Sequence, residues 1–100
     1  MIKVPTKIKI PKQVKVGGHT IDVVLEDDLE LNHEAQGLWK NHHDKIVLDS
    51  GLADAVMAET FLHELVEAIN SIYDLKLPHV KISVMGAVLH QVLTDNELTE

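Results

Sequence analysis

The chain contains no cysteine, so disulfides, thiolate metal sites and cysteine nucleophiles are all excluded. Aromatic residues make up only 3% of the sequence, which means that aliphatic side chains must build most of the core. Basic residues are also scarce, since 9 Lys and Arg accompany 16 Asp and Glu for a formal net charge of -7. A charge of this sign argues against a general nucleic-acid-binding protein and against binding to anionic membranes.

No apolar run approaches the ~18 residues of a membrane-spanning helix, and residues 1–15 lack the apolar core of a signal peptide. We therefore expect a cytoplasmic protein. A chain of 100 residues can bury one hydrophobic core, which predicts a single domain over residues 1–100. The sequence also lacks a glycine-rich phosphate loop and a nucleophile-elbow serine, so enzymes that depend on these motifs are excluded.

In the first half of the chain, apolar and polar residues alternate with a period of two, which predicts half-buried strands. Gly17-Gly18 lies between two such runs, and glycine supplies the positive φ that a tight hairpin turn needs. A second hairpin is predicted from residues 37–40 and 45–48, with a turn at 41–44.

In the second half, the period changes to that of a helix over residues 53–74. Its apolar side carries Met57, Phe61, Leu65, Ala68, Ile69 and Ile72. Pro78 suits the first turn of a second helix, predicted over residues 79–94. Its inward side chains are expected to be Val84, Val88, Leu89 and Val92. The prediction is an α+β fold: an antiparallel sheet of about four strands in two hairpins, followed by two helices packed on one face.

The first predicted helix carries a polar wedge of about 80°. The wedge consists of Glu59, His63, Glu67, Asn70 and Asp74. His63 and Glu67 are four residues apart, so their side chains stack one turn apart and can grip one metal ion. Glu64 projects sideways between them, where it could polarise a water molecule on that ion. The alternative is structural, because any amphipathic helix presents such a face to water.

The string His63-Glu64-Leu65-Val66-Glu67 resembles the zincin motif His-Glu-x-x-His, with Glu67 in place of the second histidine. The surrounding segments add to the resemblance, and they are Gly37-Leu38-Trp39, Lys45-Ile46-Val47-Leu48-Asp49, Thr60-Phe61-Leu62-His63-Glu64 and Ala68-Ile69-Asn70. Their order is similar to that of small phage- and prophage-encoded metallopeptidases, which are distantly related to ImmA/IrrE-type zincins. In that group a strand pair precedes the active-site helix and a second helix follows it. The resemblance covers about residues 14–96.

By this resemblance His63 is a zinc ligand, Glu64 is the general base and Glu67 occupies the second ligand position. In gluzincins the following helix supplies a third ligand, usually a glutamate. The matching face here carries His79, Ser83, Ala87 and His90, with Ala87 at the position expected for the glutamate. His79 and His90 are therefore the candidates for a third, nitrogen ligand.

Two functions follow from the resemblance. The first is a zincin-like, metallopeptidase-related phage or prophage protein that binds zinc, with weak or lost hydrolase activity on a peptide or protein. The second is a non-enzymatic accessory protein on a degenerate zincin scaffold, acting by protein–protein contact. Neither involves nucleic acid or membrane, and both leave the oligomeric state open. Trp39 is expected to cover the core, although its strand, residues 37–40, could pair with an extended peptide.

Overall fold

The computed structural model describes residues 8–96 and residue 98, and it confirms the α+β class. Residues 1–7, 97, 99 and 100 belong to the predicted single domain but lie outside this part of the chain. The strands are β1 (Gln13–Val16), β2 (His19–Glu26), β3 (Gly37–Lys40) and β4 (Lys45–Asp49). The helices are α1 (Leu29–His33), α2 (Asp54–Ile72) and α3 (His79–Asp95). Within the described residues, no helix is long and apolar enough to cross a membrane.

Both predicted hairpins are present. β1 pairs antiparallel with β2 around a turn in which Gly17 has a φ of 59°, a conformation that glycine adopts without steric cost. β3 pairs antiparallel with β4 across the turn at residues 41–44, so that Trp39 lies opposite Ile46.

The two hairpins join into one mixed sheet, with strand order β1-β2-β4-β3. β2 and β4 are parallel, so the sheet is mixed, whereas an antiparallel sheet was expected. The burial of β4 explains this order, because Ile46, Val47 and Leu48 are all buried and a strand covered on both faces belongs inside a sheet. β3 is half-exposed and takes the edge, and residues 27–44 form the long crossover that a parallel pair requires.

α2 packs on β3 and β4 through its apolar side and so lies between the sheet and α3. The buried core cluster joins strand and helix residues: Ile21, Ile46, Leu48, Phe61, Leu62 and Ala68. Met57, Leu65 and Ile72 are partly buried against this cluster, as the helical period predicts. The helix therefore turns its polar wedge away from the core.

α3 packs mainly on α2 rather than on the sheet, through the buried residues Ile82 and Gly86. The side chains expected to face inward are instead exposed, at 57% for Val84, 50% for Val88, 41% for Leu89 and 37% for Val92. That expectation was wrong because the apolar period marks a stripe on a helix but does not identify its neighbour. α3 instead contacts the backbone of α2 through its narrow face, which contains Gly86.

The contact at Gly86 yields a stability prediction. A Cβ added at Gly86 would lie 2.9 Å from Cα and 3.1 Å from the backbone nitrogen of His63, and backbone atoms cannot rotate away. Gly86→Ala would gain about 1 kcal/mol of helix propensity. Overpacking costs about 1–3 kcal/mol, and a clash with backbone atoms takes the upper part of that range, about 2–3 kcal/mol. We expect a net loss of about 1–2 kcal/mol in the free energy of unfolding, measured by urea denaturation.

Gly18→Ala is the matched control, because a Cβ at Gly18 would meet no atom within 4 Å. Its effect should stay within about 0.5 kcal/mol. If Gly86→Ala were as stable as the parent, α2 and α3 would not be in the close contact described.

Candidate metal centre

A cleft of about 750 Å³ lies between β3, α2, α3 and the loop of residues 34–36. Its ionisable lining residues are Glu34 from the loop, Glu59, His63, Glu64 and Glu67 from α2, and His79 from α3; Ser83 of α3 lines it as well. Four of the five residues in the predicted polar wedge, all except Asp74, therefore line a cavity instead of facing open water. Asp74 lies in the turn after α2, which ends at Ile72, and is not part of the cleft. Asn70 lines the same cleft one turn after Glu67.

His63, Glu67 and His79 each offer a ligand atom in this cleft, and the three atoms lie within 4.8 Å of one another. Nδ1 of His79 is 3.8 Å from Oε2 of Glu67, and the two imidazole ring centroids are 5.1 Å apart. Tetrahedral coordination at about 2.1 Å separates ligand atoms by about 3.4 Å. The His79–Glu67 distance is near this value and all three ligand atoms lie within 4.8 Å of one another, so the group could hold a metal ion.

The turn between the helices brings His79 to this group. The side-chain oxygen of Asn70 accepts a hydrogen bond of 2.8 Å from the backbone N–H of Leu77. The backbone oxygen of Asn70 accepts a second bond, of 3.0 Å, from the N–H of Leu75. α3 begins directly after this fixed turn, so Asn70 positions His79. The sequence placed Asn70 on the polar wedge but gave no signal of this role.

His90, the other candidate for the third ligand, is not part of the group. It lies three turns after His79 on α3, a distance of about 16 Å along the helix axis. The shared helical face therefore does not bring both histidines to one ion. Ala87 lines the cleft but offers no ligand atom.

Glu64 is buried at the back of the cleft, with its Oε2 4.0 Å from Nε2 of His63. Burial, reinforced by the negative charge of Glu67, raises the pKa of Glu64 to about 7. Gly37 makes room for it, because a Cβ at that position would lie 3.1 Å from Cγ of Glu64 and 2.7 Å from Cγ2 of Thr60. A carboxyl group with this pKa can accept or donate a proton near neutral pH.

His63 is largely buried, and this burial lowers its pKa more than the negative charge of Glu67 raises it. The neighbouring His79 lowers the pKa of His63 further, while Glu59 raises it. The uncharged imidazole is the form that binds a metal. The environment of His63 therefore favours the uncharged imidazole, which can bind a metal, over the protonated one.

Trp39 is partly buried and packs against the core cluster, which agrees with its expected role in covering the core. It also lines the cleft, and β3 forms the edge of the sheet beside α2. Within the part of the chain that the structure describes, the buried indole N–H of Trp39 has no hydrogen-bond partner.

Comparison with known proteins gave no match to any family model, curated protein or solved structure. The function of the cleft therefore has to be inferred from its own residues.

The raised pKa of Glu64 predicts a pH dependence of stability. An unfolded glutamic acid titrates near 4.5 and folded Glu64 near 7, so the folded state binds more protons between these values. The stabilisation that protonated Glu64 gives is thus fully present below pH 4.5. As the pH rises to about 7 it is lost, and the free energy of unfolding falls by up to about 3 kcal/mol. Urea denaturation in chelator across this range should show the loss in the parent and not in Glu64→Gln.

The lowered pKa of His63 acts in the opposite direction, because stability then rises with pH up to the unfolded value of 6.5. Both proteins retain His63, so the difference between them isolates Glu64. Glu34→Gln, a matched change of an exposed glutamate in the same cleft that shifts the pKa of neither His63 nor Glu64, should keep the parent's pH dependence. Parallel profiles for the parent and Glu64→Gln would show that Glu64 is not protonated by burial.

Proposed function

We propose that the chain is a zincin-like metallopeptidase-related protein in which His63, Glu67 and His79 hold zinc and Glu64 is the general base. The convergence of two histidines and one glutamate in the cleft, beside a second, buried glutamate, carries the proposal. Two histidines and one glutamate are a ligand set of catalytic zinc sites, which keep a fourth position open. When bound, zinc supplies Lewis acidity that polarises the carbonyl of a peptide bond.

The proposed ligand set removes the difficulty raised by the two departures from the zincin motif. Glutamate replaces histidine at position 67, and alanine stands where the following helix of a gluzincin carries its glutamate. Because His79 begins that helix and reaches the group, the set again contains two histidines and one glutamate. In this site the glutamate, Glu67, comes from α2 and the second histidine, His79, from α3, the reverse of the gluzincin arrangement. Ala87 therefore does not leave the site short of a ligand.

The side chains next to His79 support its assignment as a ligand. Nδ1 of His79 faces Glu67, while Nε2 lies 3.4 Å from the hydroxyl oxygen of Ser83. A histidine that binds metal through one nitrogen carries a proton on the other and usually donates it to a nearby acceptor. With Nδ1 on the metal, Nε2 would carry the proton, and the hydroxyl oxygen of Ser83 is the acceptor beside it.

Glu64 is placed for proton transfer. It lies in the cleft beside His63, where its carboxylate can accept the proton of an attacking water and then return a proton to the leaving amine. Its side chain is confined between α2 and Gly37 of β3, so it meets substrate only from the cleft.

The edge position of β3 suggests how a peptide substrate binds. Residues 37–39 line the cleft, and β4 occupies only one side of β3 in the sheet. An extended peptide can add to such an edge as a further strand through main-chain hydrogen bonds. This placement would bring the peptide bond alongside His63 and Glu64.

Zinc should stabilise the protein by mass action, by about 2.7 kcal/mol when its free concentration is 100 times the dissociation constant. Calorimetric titration should give one ion per chain. His63→Ala, Glu67→Ala and His79→Ala should each abolish the rise in melting temperature that the parent shows with zinc.

His90→Ala and His42→Ala are the matched controls, since neither histidine belongs to the group. Both variants should respond to zinc as the parent does. Loss of the response in His90→Ala, or its survival in His79→Ala, would disprove the ligand assignment.

The catalytic role of Glu64 is tested separately. Glu64→Gln should bind zinc as the parent does and lower the hydrolysis of unstructured peptides by a factor of about 100–10,000, the usual contribution of a general base. Peptide cleavage is followed by mass spectrometry, with Glu59→Gln as the control in the same cleft. A zinc-loaded parent that cleaves no peptide would instead support the non-enzymatic accessory protein.

A further inference from the structure

The outer face of α3 is apolar and exposed, although α3 belongs to a strongly acidic chain. The helix has 17 residues, and Lys81 and Asp95 are its only residues among Asp, Glu, Lys and Arg. Such residues make up 25% of the whole sequence. Of the two long helices, α2 and α3, α3 therefore repels a second acidic molecule less.

Five of the exposed side chains of α3 form a stripe along the helix. At 100° per residue, Lys81, Val84, Val88, Val92 and Asp95 fall within an arc of about 80°. All five are exposed, and the stripe faces away from Ile82 and Gly86, which contact α2. No side chain of this stripe belongs to the cleft.

The stripe is symmetric about Val88 in both polarity and charge. Val84 and Val92 lie four residues before and after Val88, and Lys81 and Asp95 lie seven residues before and after it. Two copies of α3 placed antiparallel about a two-fold axis at Val88 would bring Val84 of each copy against Val92 of the other. The same operation brings Lys81 of each copy to Asp95 of the other.

We propose that the chain forms a homodimer through this two-fold, antiparallel pairing of α3. The charge pattern selects a second copy as the occupant, because the same rotation that matches valine with valine also pairs both charges with opposite charges. A parallel arrangement would instead place lysine beside lysine and aspartate beside aspartate. The contact runs from Lys81 to Asp95, about 21 Å along the helix, which suits a small interface with a dissociation constant of about 1–100 µM.

The dimer leaves the candidate metal centre open. Around α3, the proposed ligand His79 lies about 180° from Val88, at the centre of the stripe, while Ser83 and Ala87, which line the cleft, lie about 140° and 100° from it. The inference therefore does not depend on the function proposed for the cleft.

Sedimentation equilibrium of the full chain between about 1 µM and 1 mM should show a reversible monomer–dimer equilibrium. Val88→Asp places two carboxylates face to face on the axis and should weaken dimerisation about 100-fold or more. Leu31→Asp, a matched change of an exposed apolar residue on α1, should leave the dimer unchanged. A parent that stays monomeric over this range, as it would if a different protein covers α3, overturns the proposal.

Charge reversal tests the geometry of the pairing. Lys81→Glu and Asp95→Lys should each weaken the dimer about threefold to tenfold, and the double variant should restore it. Within one copy the two residues are about 21 Å apart along the helix, so coupling between them has to arise between copies. Strictly additive losses, or an unchanged dimer in the single variants, would rule out the antiparallel arrangement.

Discussion

The close contact of α3 with the backbone of α2 at Gly86 and His63 is the constraint on which the cleft depends. Because Gly86 has no side chain, α3 lies directly against the backbone of α2 at His63 and closes one side of the cleft. The turn held by Asn70 then fixes where α3 begins, and its first residue, His79, reaches Glu67. One glycine and one asparagine, neither of which would bind the metal, thus determine which residues meet.

The same packing creates an electrostatic cost. Glu64 is buried beside β3 with Glu67 one turn away, and both effects oppose its ionisation. A fold that needed only a stable helix would place this carboxylate in water. Its position in a cleft next to two histidines is typical of functional sites, where perturbed titration and potential metal ligands coincide. Structural ion pairs can also perturb titration, so the ligand geometry carries more weight than the pKa.

Residue patterns predicted the local structure well and the long-range arrangement less well. The alternation around Gly17 and the helical period from Met57 to Ile72 identified the hairpins and α2, because both signals are local. The parallel pairing of β2 with β4 and the outward face of α3 depend on which elements pack together, and periodicity does not specify this. His79 and His90 likewise share one face of α3, and only the three-dimensional turn at Asn70 distinguishes them.

The central claim is that ligands from two helices meet at one metal ion, and a crystal structure with zinc tests it most directly. The account predicts one anomalous scattering peak per chain in the cleft. A nitrogen of His63, a nitrogen of His79 and an oxygen of Glu67 should each lie about 2.0–2.2 Å from the ion. Zinc bound only at surface histidines such as His42 and His43, or in the cleft without His79, would contradict it.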